Sequence, residues 1–209
     1  PDALRLEDIP EPAADGLVLI DVHAAGVGFV DLLVTRGEYQ ITPPLPFVPG
    51  LEVAGFVRSA PAGSGLRPGD RVAATTPFGG FAEVAVTPAF MTFPVPDDMS
   101  FDVAAGFVVN HHTAHLGLVR RGRLQPGEVV LVHGAAGGVG TAAIQVAKAA
   151  GAGTVIAISA SNAATPLPQV EPLRPPATTV ATTTTVPISN TRCGEIVRNW
   201  VATDRPTLN

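Results

Sequence analysis

Between residues 17 and 95 the chain alternates short apolar runs with turns rich in Gly and Pro. LVLIDVHA (17–24), LEVAGFVR (51–58), RVAAT (71–75), FAEVAV (81–86) and FMTFPV (90–95) each concentrate branched or aromatic residues. Such side chains suit a pleated, half-buried surface, so each run predicts a strand. LRPGD (66–70) reads as the turn that feeds the third run. Frequent short strands with turn chemistry between them describe a compact β-barrel or sandwich. One helix interrupts the series at Phe29–Arg36, where Val30, Leu33 and Val34 recur at helical spacing.

Near residue 99 the period changes. Ser100 can cap a helix running through FDVAAGFVV, with Asp102 in its first turn, and a second helix is expected over 114–121. LQPGE (124–128) is a turn, and VVLVH (129–133) has no polar alternation, as a parallel strand buried on both faces should read. A glycine loop follows, then a helix over 138–150 whose Val139, Ala142, Ala143, Val146 and Ala147 form one stripe of small apolar residues. TVIAIS (154–159) is the second strand of this β-α-β unit. A two-stranded parallel pair leaves both edges and much apolar surface uncovered, so this unit is expected to be unstable by itself.

From residue 162 the pattern stops. Seven prolines and ten threonines fall in the remaining 48 residues, including the run 182–185. Proline at this density removes ladder and helix hydrogen bonds, so a flexible tail is expected, with a short helix at 194–203 as the alternative. The chain therefore divides into 1–98, 99–161 and 162–209.

Composition narrows the function classes. Hydrophobic residues are 46% of the chain and charged residues 15%, which favours a packed core over disorder. The net charge is −5, and the densest basic cluster is Arg120, Arg121 and Arg123, so nucleic acid is not an expected partner. Cys193 is the one cysteine, which excludes an internal disulfide and a cysteine-based zinc site. No apolar run reaches the ~18–20 residues of a membrane-spanning helix. The opening PDALRLEDIPEP is unlike a signal peptide, so a cytoplasmic protein is expected, and with no initiator Met the natural N-terminus is expected to lie upstream.

The main chemical signal is VVLVHGAAGGVGTAAIQVAKA. A strand delivers the chain into a glycine loop, and a helix begins inside it. Ala135, Gly137 and Gly140 occupy the positions of a G-x-G-x-x-G fingerprint, where small residues let the backbone turn sharply and approach a pyrophosphate. The helix N-terminus then offers free N–H groups to phosphate oxygens. Gly134, Ala135, Ala136, Gly137, Gly138, Val139 and Gly140 are the expected cofactor contacts. A tight turn with no ligand is the alternative; a Walker phosphate loop is excluded because no Gly-Lys-Ser/Thr follows. The second strand ends in Ser159-Ala160-Ser161, with no acid to hold a ribose 2′-hydroxyl. Ser159 and Ser161 can hydrogen-bond a 2′-phosphate, which favours NADPH, unless they are ordinary loop residues.

On that loop, and on HAAGVGFVDLLVTRGEYQ, PLPFVPGLEVAGFV, GLRPGDRVAA and FGGFAEVAV before it, the chain resembles the zinc-free, zeta-crystallin-like quinone oxidoreductases of the medium-chain dehydrogenase/reductase superfamily across residues 1–161. The resemblance implies an α/β plus β architecture: a GroES-like β-barrel catalytic domain, then an incomplete, apparently truncated Rossmann unit, with the Pro/Thr-rich tail beyond. It implies hydride transfer from NADPH to a quinone or related enone, an active site in the cleft between the domains, and a homodimer whose usual edge is missing here. Zinc-dependent relatives carry Cys and a Gly-His-Glu motif where this chain has Gly28 and Gly50-Leu51-Glu52, so no metal is expected. Tyr39 matches a tyrosine that hydrogen-bonds the acceptor oxygen, or is a surface residue. Asp31 matches an acid that organises the site, or is a cap or surface residue. Thr113 matches a threonine near the nicotinamide, and Asn110 matches beside it, unless both are polar residues at a helix junction. Gly28 replaces the family's asparagine. His111 and His115 lie four apart and offer two metal ligands without a third. Two rival readings remain: a non-catalytic remnant of the same fold, and an enoyl-reductase-type domain of a larger synthase.

Overall fold

A computed structural model of the chain describes residues 4–159, 184–187 and 196–202. Its contacts divide into two units, one holding the described residues up to Val108 with the two C-terminal strands, the other beginning at Val109.

The first unit is built on an antiparallel sheet. Its strands are β2 (Val18–Val27), β3 (Glu52–Ser59), β4 (Arg71–Thr75), β5 (Val84–Thr87) and β6 (Thr92–Pro94), in the order β5-β2-β3-β4-β6. Among the described residues β5 and β6 do not pair, so this path is open. Val18, Ile20 and Val22 of β2 alternate onto one core face with Val53, Val57 and Val72. A register irregularity between Val22 and Ala24 then shifts the phase, so Ala25 joins that core while Ala24 turns to the opposite face. On that opposite face α2 (Phe101–Ala105) packs its Ala104 and Ala105 against Ala24, Ala54 and Ala73. Small side chains on both partners allow this close approach. Helix α1 (Phe29–Arg36) leaves the end of β2 and stops at Gly37, whose φ of 71° and N–H bond to Val34 O (3.0 Å) make a left-handed cap.

The second unit contains α3 (Val108–His115, from its second residue on), β7 (Val129–His133), α4 (Gly138–Ala149) and β8 (Thr154–Ile158). β7 and β8 are parallel, with Leu131 opposite Ile156. Val130, Val132, Ile144 and Ala147 form the core where α4 covers one face.

Several expectations need correction. Leu4–Pro10 is a strand, β1, that the polar sequence at the N-terminus did not announce. The strand β5 is Val84–Thr87, so FAEVAV gives it only its last three residues, and a 3₁₀ turn at Ala89–Met91 takes up the start of FMTFPV. The helix expected through FDVAAGFVV ends at Ala105, because Gly106 (φ −100°, ψ 5°) leaves helical geometry and α3 starts afresh at Val108. Beyond α3 the turns widen over Leu116–Arg121, where Gly122 N–H reaches Gly117 O at 2.8 Å, an i to i+5 bond of a π-helix. In the C-terminal region β9 (Thr184–Pro187) pairs with the second half of β2, and β10 (Ile196–Ala202) pairs with β1 over seven residues. The segment considered as a helix at 194–203 is thus a strand where it is described, consistent with the strand propensity of Ile, Val and Trp. In α4 the buried positions are Gly140, Ala142, Ile144 and Ala147; of the expected stripe Ala142 and Ala147 are buried, Ala143 and Val146 are half-buried and Val139 is exposed. Finally, β7 is buried only at alternate residues rather than throughout.

Candidate functional site

The glycine loop takes its shape from three glycines at a spacing of three. Gly134 has φ +67°, a left-handed conformation that other residues rarely adopt, and it turns the chain out of β7. Ala135 is buried, and its N–H is spent on Ile158 O of β8 at 3.0 Å. Gly137 is the N-cap of α4 in extended conformation, and Thr141 N–H returns to its carbonyl at 2.8 Å. A Cβ on Gly140 would strike the Gly134 carbonyl oxygen and lie 2.8 Å from the Ala135 Cα, so loop and helix are in backbone contact there. Thr141 Oγ1 adds a bond to Ala135 O at 3.3 Å. The sharp-turn position is therefore Gly134, not Ala135. The repeat G-x-x-G-x-x-G over 134–140 was the signal for it.

This rigid turn leaves the first amides of α4, those of Gly138, Val139 and Gly140, without intrahelical acceptors. They sit at the positive end of the helix, and Gly134, Ala136, Gly137, Gly138 and Val139 are all exposed. A diphosphate fits such a cradle: side-chain-free backbone, free donors and partial positive charge converge. Asn110 of α3 lies against the same loop, since a Cβ on Gly138 would come within 2.8 Å of its Oδ1. Next to it His111 Nε2 meets Gln145 Oε1 of α4 at 3.0 Å, a contact not foreseen that fastens α3 to the loop's helix. Thr113 is exposed and its hydroxyl bonds Val109 O at 2.6 Å. Ser159 is half-buried just past β8, and Ser161 lies outside the described residues.

In the first unit, Asp31 is only 5% exposed. Its Oδ2 accepts the Gly28 N–H at 2.8 Å, capping α1 from within, while its Oδ1 has no hydrogen-bond partner among the described residues. The cap role is present and the surface role is not. Burial pushes the carboxyl above the usual carboxylate range, and the amides of Gly28, Leu51 and Gly50 pull the other way. Gly28 itself is extended (φ −112°), and a Cβ there would meet nothing nearer than Asp31 Oδ2 at 3.5 Å. Gly50 is held against Phe81: its φ is +102° and a Cβ would lie 2.6 Å from Phe81 Cδ1. Tyr39 is half-buried in a bend after α1. Among the described residues no three His, Cys, Asp or Glu side chains gather as a metal site.

Residues 14–97 match the alcohol dehydrogenase GroES-like domain. Quinone oxidoreductase-like protein 2 of Rattus norvegicus is 42% identical over 161 residues, covering 76% of this chain and 46% of that protein. The chain belongs to the quinone oxidoreductase family of medium-chain dehydrogenase/reductases. Among solved structures of this family, the quinone oxidoreductase of Thermus thermophilus, determined alone and with NADPH, is 41% identical with a TM-score of 0.65, covering 76% of this chain and 50% of that one. A probable oxidoreductase from Mycobacterium abscessus is 50% identical with a TM-score of 0.66, covering 71% of this chain and 48% of that one. The chain spans about half the length of the family members it matches. The fold is accordingly a GroES-like region followed by a partial Rossmann-like region. No described helix is long and apolar enough to cross a membrane.

Proposed function

We propose that this chain carries the acceptor-side domain and the cofactor phosphate loop of an NADPH-dependent oxidoreductase that reduces a quinone or other conjugated carbonyl without zinc. The observation that carries the reading is the backbone contact between Gly140 and Gly134, which holds the loop against the start of α4 and which any side chain at Gly140 would break. The similarity to a quinone oxidoreductase whose structure was solved with NADPH supports the choice of cofactor.

In this reading the amides of Gly138, Val139 and Gly140 hold the pyrophosphate, with Gly137 giving it room and Asn110 bracing the loop. Ser159 and Ser161 receive the 2′-phosphate. When bound, the reduced dinucleotide supplies a hydride. The Tyr39 hydroxyl donates a hydrogen bond to the acceptor oxygen and stabilises the negative charge that develops there. Thr113 lies on the nicotinamide side. Asp31 acts one step back: by holding the Gly28 N–H it fixes the turn between β2 and α1.

The test is a cofactor titration of the 209-residue chain against its Gly137→Val variant, read by saturation-transfer NMR, which detects weak complexes. A Cβ at position 137 makes only an ordinary contact, 3.4 Å from Gly134 O, so the variant is expected to keep its fold while the added bulk crowds the phosphate cradle. NADPH transfer signals with the parent and none with the variant are expected. Equal signals from both would refute the site.

A further inference from the structure

A helix that starts at a protein surface is commonly finished by a side chain that caps its first amides or by an acid in its first turn. α1 has Asp31 in that turn; α2 has Asp102 there and Ser100 before it, whose hydroxyl accepts the Val103 N–H. α4 has neither device: its N-cap is Gly137, and its first turn holds no acid. What lies against its first residue is an uncharged group from α3 of the same unit, the carboxamide of Asn110. A Cβ on Gly138 would fall 2.8 Å from Asn110 Oδ1, 3.0 Å from Nδ2 and 3.1 Å from Cγ, so the whole carboxamide crowds that point. Gly138 is helical and not left-handed, so its backbone alone would accept alanine. Its lack of a side chain is required by Asn110.

Asn110 is not needed merely to hold α3 and α4 together. His111, the next residue of α3, meets Gln145 at 3.0 Å, two turns further along the same face of α4. For a structural brace at this place an aspartate would have the same shape and a more favourable charge, since a helix N-terminus is its positive end. The neutral amide leaves that end uncancelled for an incoming anion. We propose that Asn110 is a positioning residue of the diphosphate site: its uncharged carboxamide orients the first amides of α4, and Gly138 is glycine to admit it. The proposal rests on the cofactor reading above and adds to it a side-chain requirement that the glycine fingerprint does not contain.

The test is NADPH titration of the parent chain, Asn110→Asp, Asn110→Ala, Gly138→Ala and the double variant Asn110→Ala/Gly138→Ala, by saturation-transfer NMR, with thermal unfolding of each. Asn110→Asp should melt no lower than the parent yet bind NADPH at least tenfold more weakly, because its carboxylate takes the free amides and repels the phosphates. Gly138→Ala introduces a better helix former, so it should weaken binding only by pushing Asn110 aside. The double variant should then bind no more weakly than Gly138→Ala alone, as expected of two changes to one contact. Equal binding by the parent and Asn110→Asp, or single losses that multiply in the double variant, would overturn the proposal and leave the cofactor reading standing. No NADPH signal from the parent would sink that reading, and this proposal with it.

Discussion

The two units use the same kind of strand and bury it differently. In the first, Val18, Ile20 and Val22 are fully enclosed, because β2 has neighbours on both sides and packed side chains on both faces. In the second, β7 and β8 are just as aliphatic, yet every other residue faces solvent. Composition is alike; what differs, among the described residues, is the number of layers. A β-branched run reports that a strand wants two covers, and says nothing of whether both are supplied.

The sharpest way to break this comparison is to truncate one isoleucine in each unit. Ile20→Ala should cost ~2–5 kcal/mol, as deleting several methylenes from a closed core does. Ile156→Ala removes a half-exposed side chain and should cost less than ~1 kcal/mol. Because two units can unfold separately, native-state hydrogen exchange is the measurement, with β3 amides reporting on the first substitution and β7 amides on the second. Comparable losses in both would mean that the face of the second unit is not bare in solution.

That contrast also explains what the sequence disclosed. The strands of the first unit were legible because short branched runs between turns mark an antiparallel sheet, and α1 was legible from its period. The glycine loop was legible because its requirement is local: a backbone that tolerates no side chain. Its internal assignment was not, since Ala135 fits the fingerprint spacing and only the dihedral at Gly134 reveals which residue makes the turn. The burial of β7 was misread for the reason just given. Asp31 was ambiguous among cap, surface and site, because its burial depends on the Gly50-Leu51 segment, about twenty positions away in sequence. β1 could not be foreseen at all, because its partner is nearly two hundred residues distant.

A smaller effect separates the closed unit from the open one through titration. Burial raises the Asp31 carboxyl above its unfolded value, so the folded state prefers the protonated form. Its favourable contribution is complete below the unfolded carboxylate range and is lost as pH rises through the raised folded value. Asp31→Asn keeps an acceptor for the Gly28 N–H and cannot ionise. The stability of the parent relative to this variant should therefore decline as pH rises from acid toward neutrality, by ~1.4 kcal/mol for each unit of displacement. Urea unfolding at a series of pH values measures it. A gap that widens in the parent's favour with rising pH would show that hydrogen bonds to the carboxylate outweigh its burial.

The smallest effect expected lies at the surface of the same closed unit. Arg58 of β3 bonds Asp21 of β2 through Nε (2.8 Å) and Nη2, and Glu11 through Nη1 (2.8 Å), and the two carboxylates raise the guanidinium's pKa above its ordinary value. All three side chains are about a third exposed, so water and salt screen the attraction. Replacing Arg58 by Gln should cost no more than ~1 kcal/mol, and the cost should shrink further in ~0.5 M salt, where the Debye length falls to about 4 Å. Denaturation midpoints of parent and variant at low and high salt decide the point. A large, salt-insensitive loss would show instead that the arginine stem is packed as part of the core, and the closed unit would then extend one layer further out than its buried valines mark.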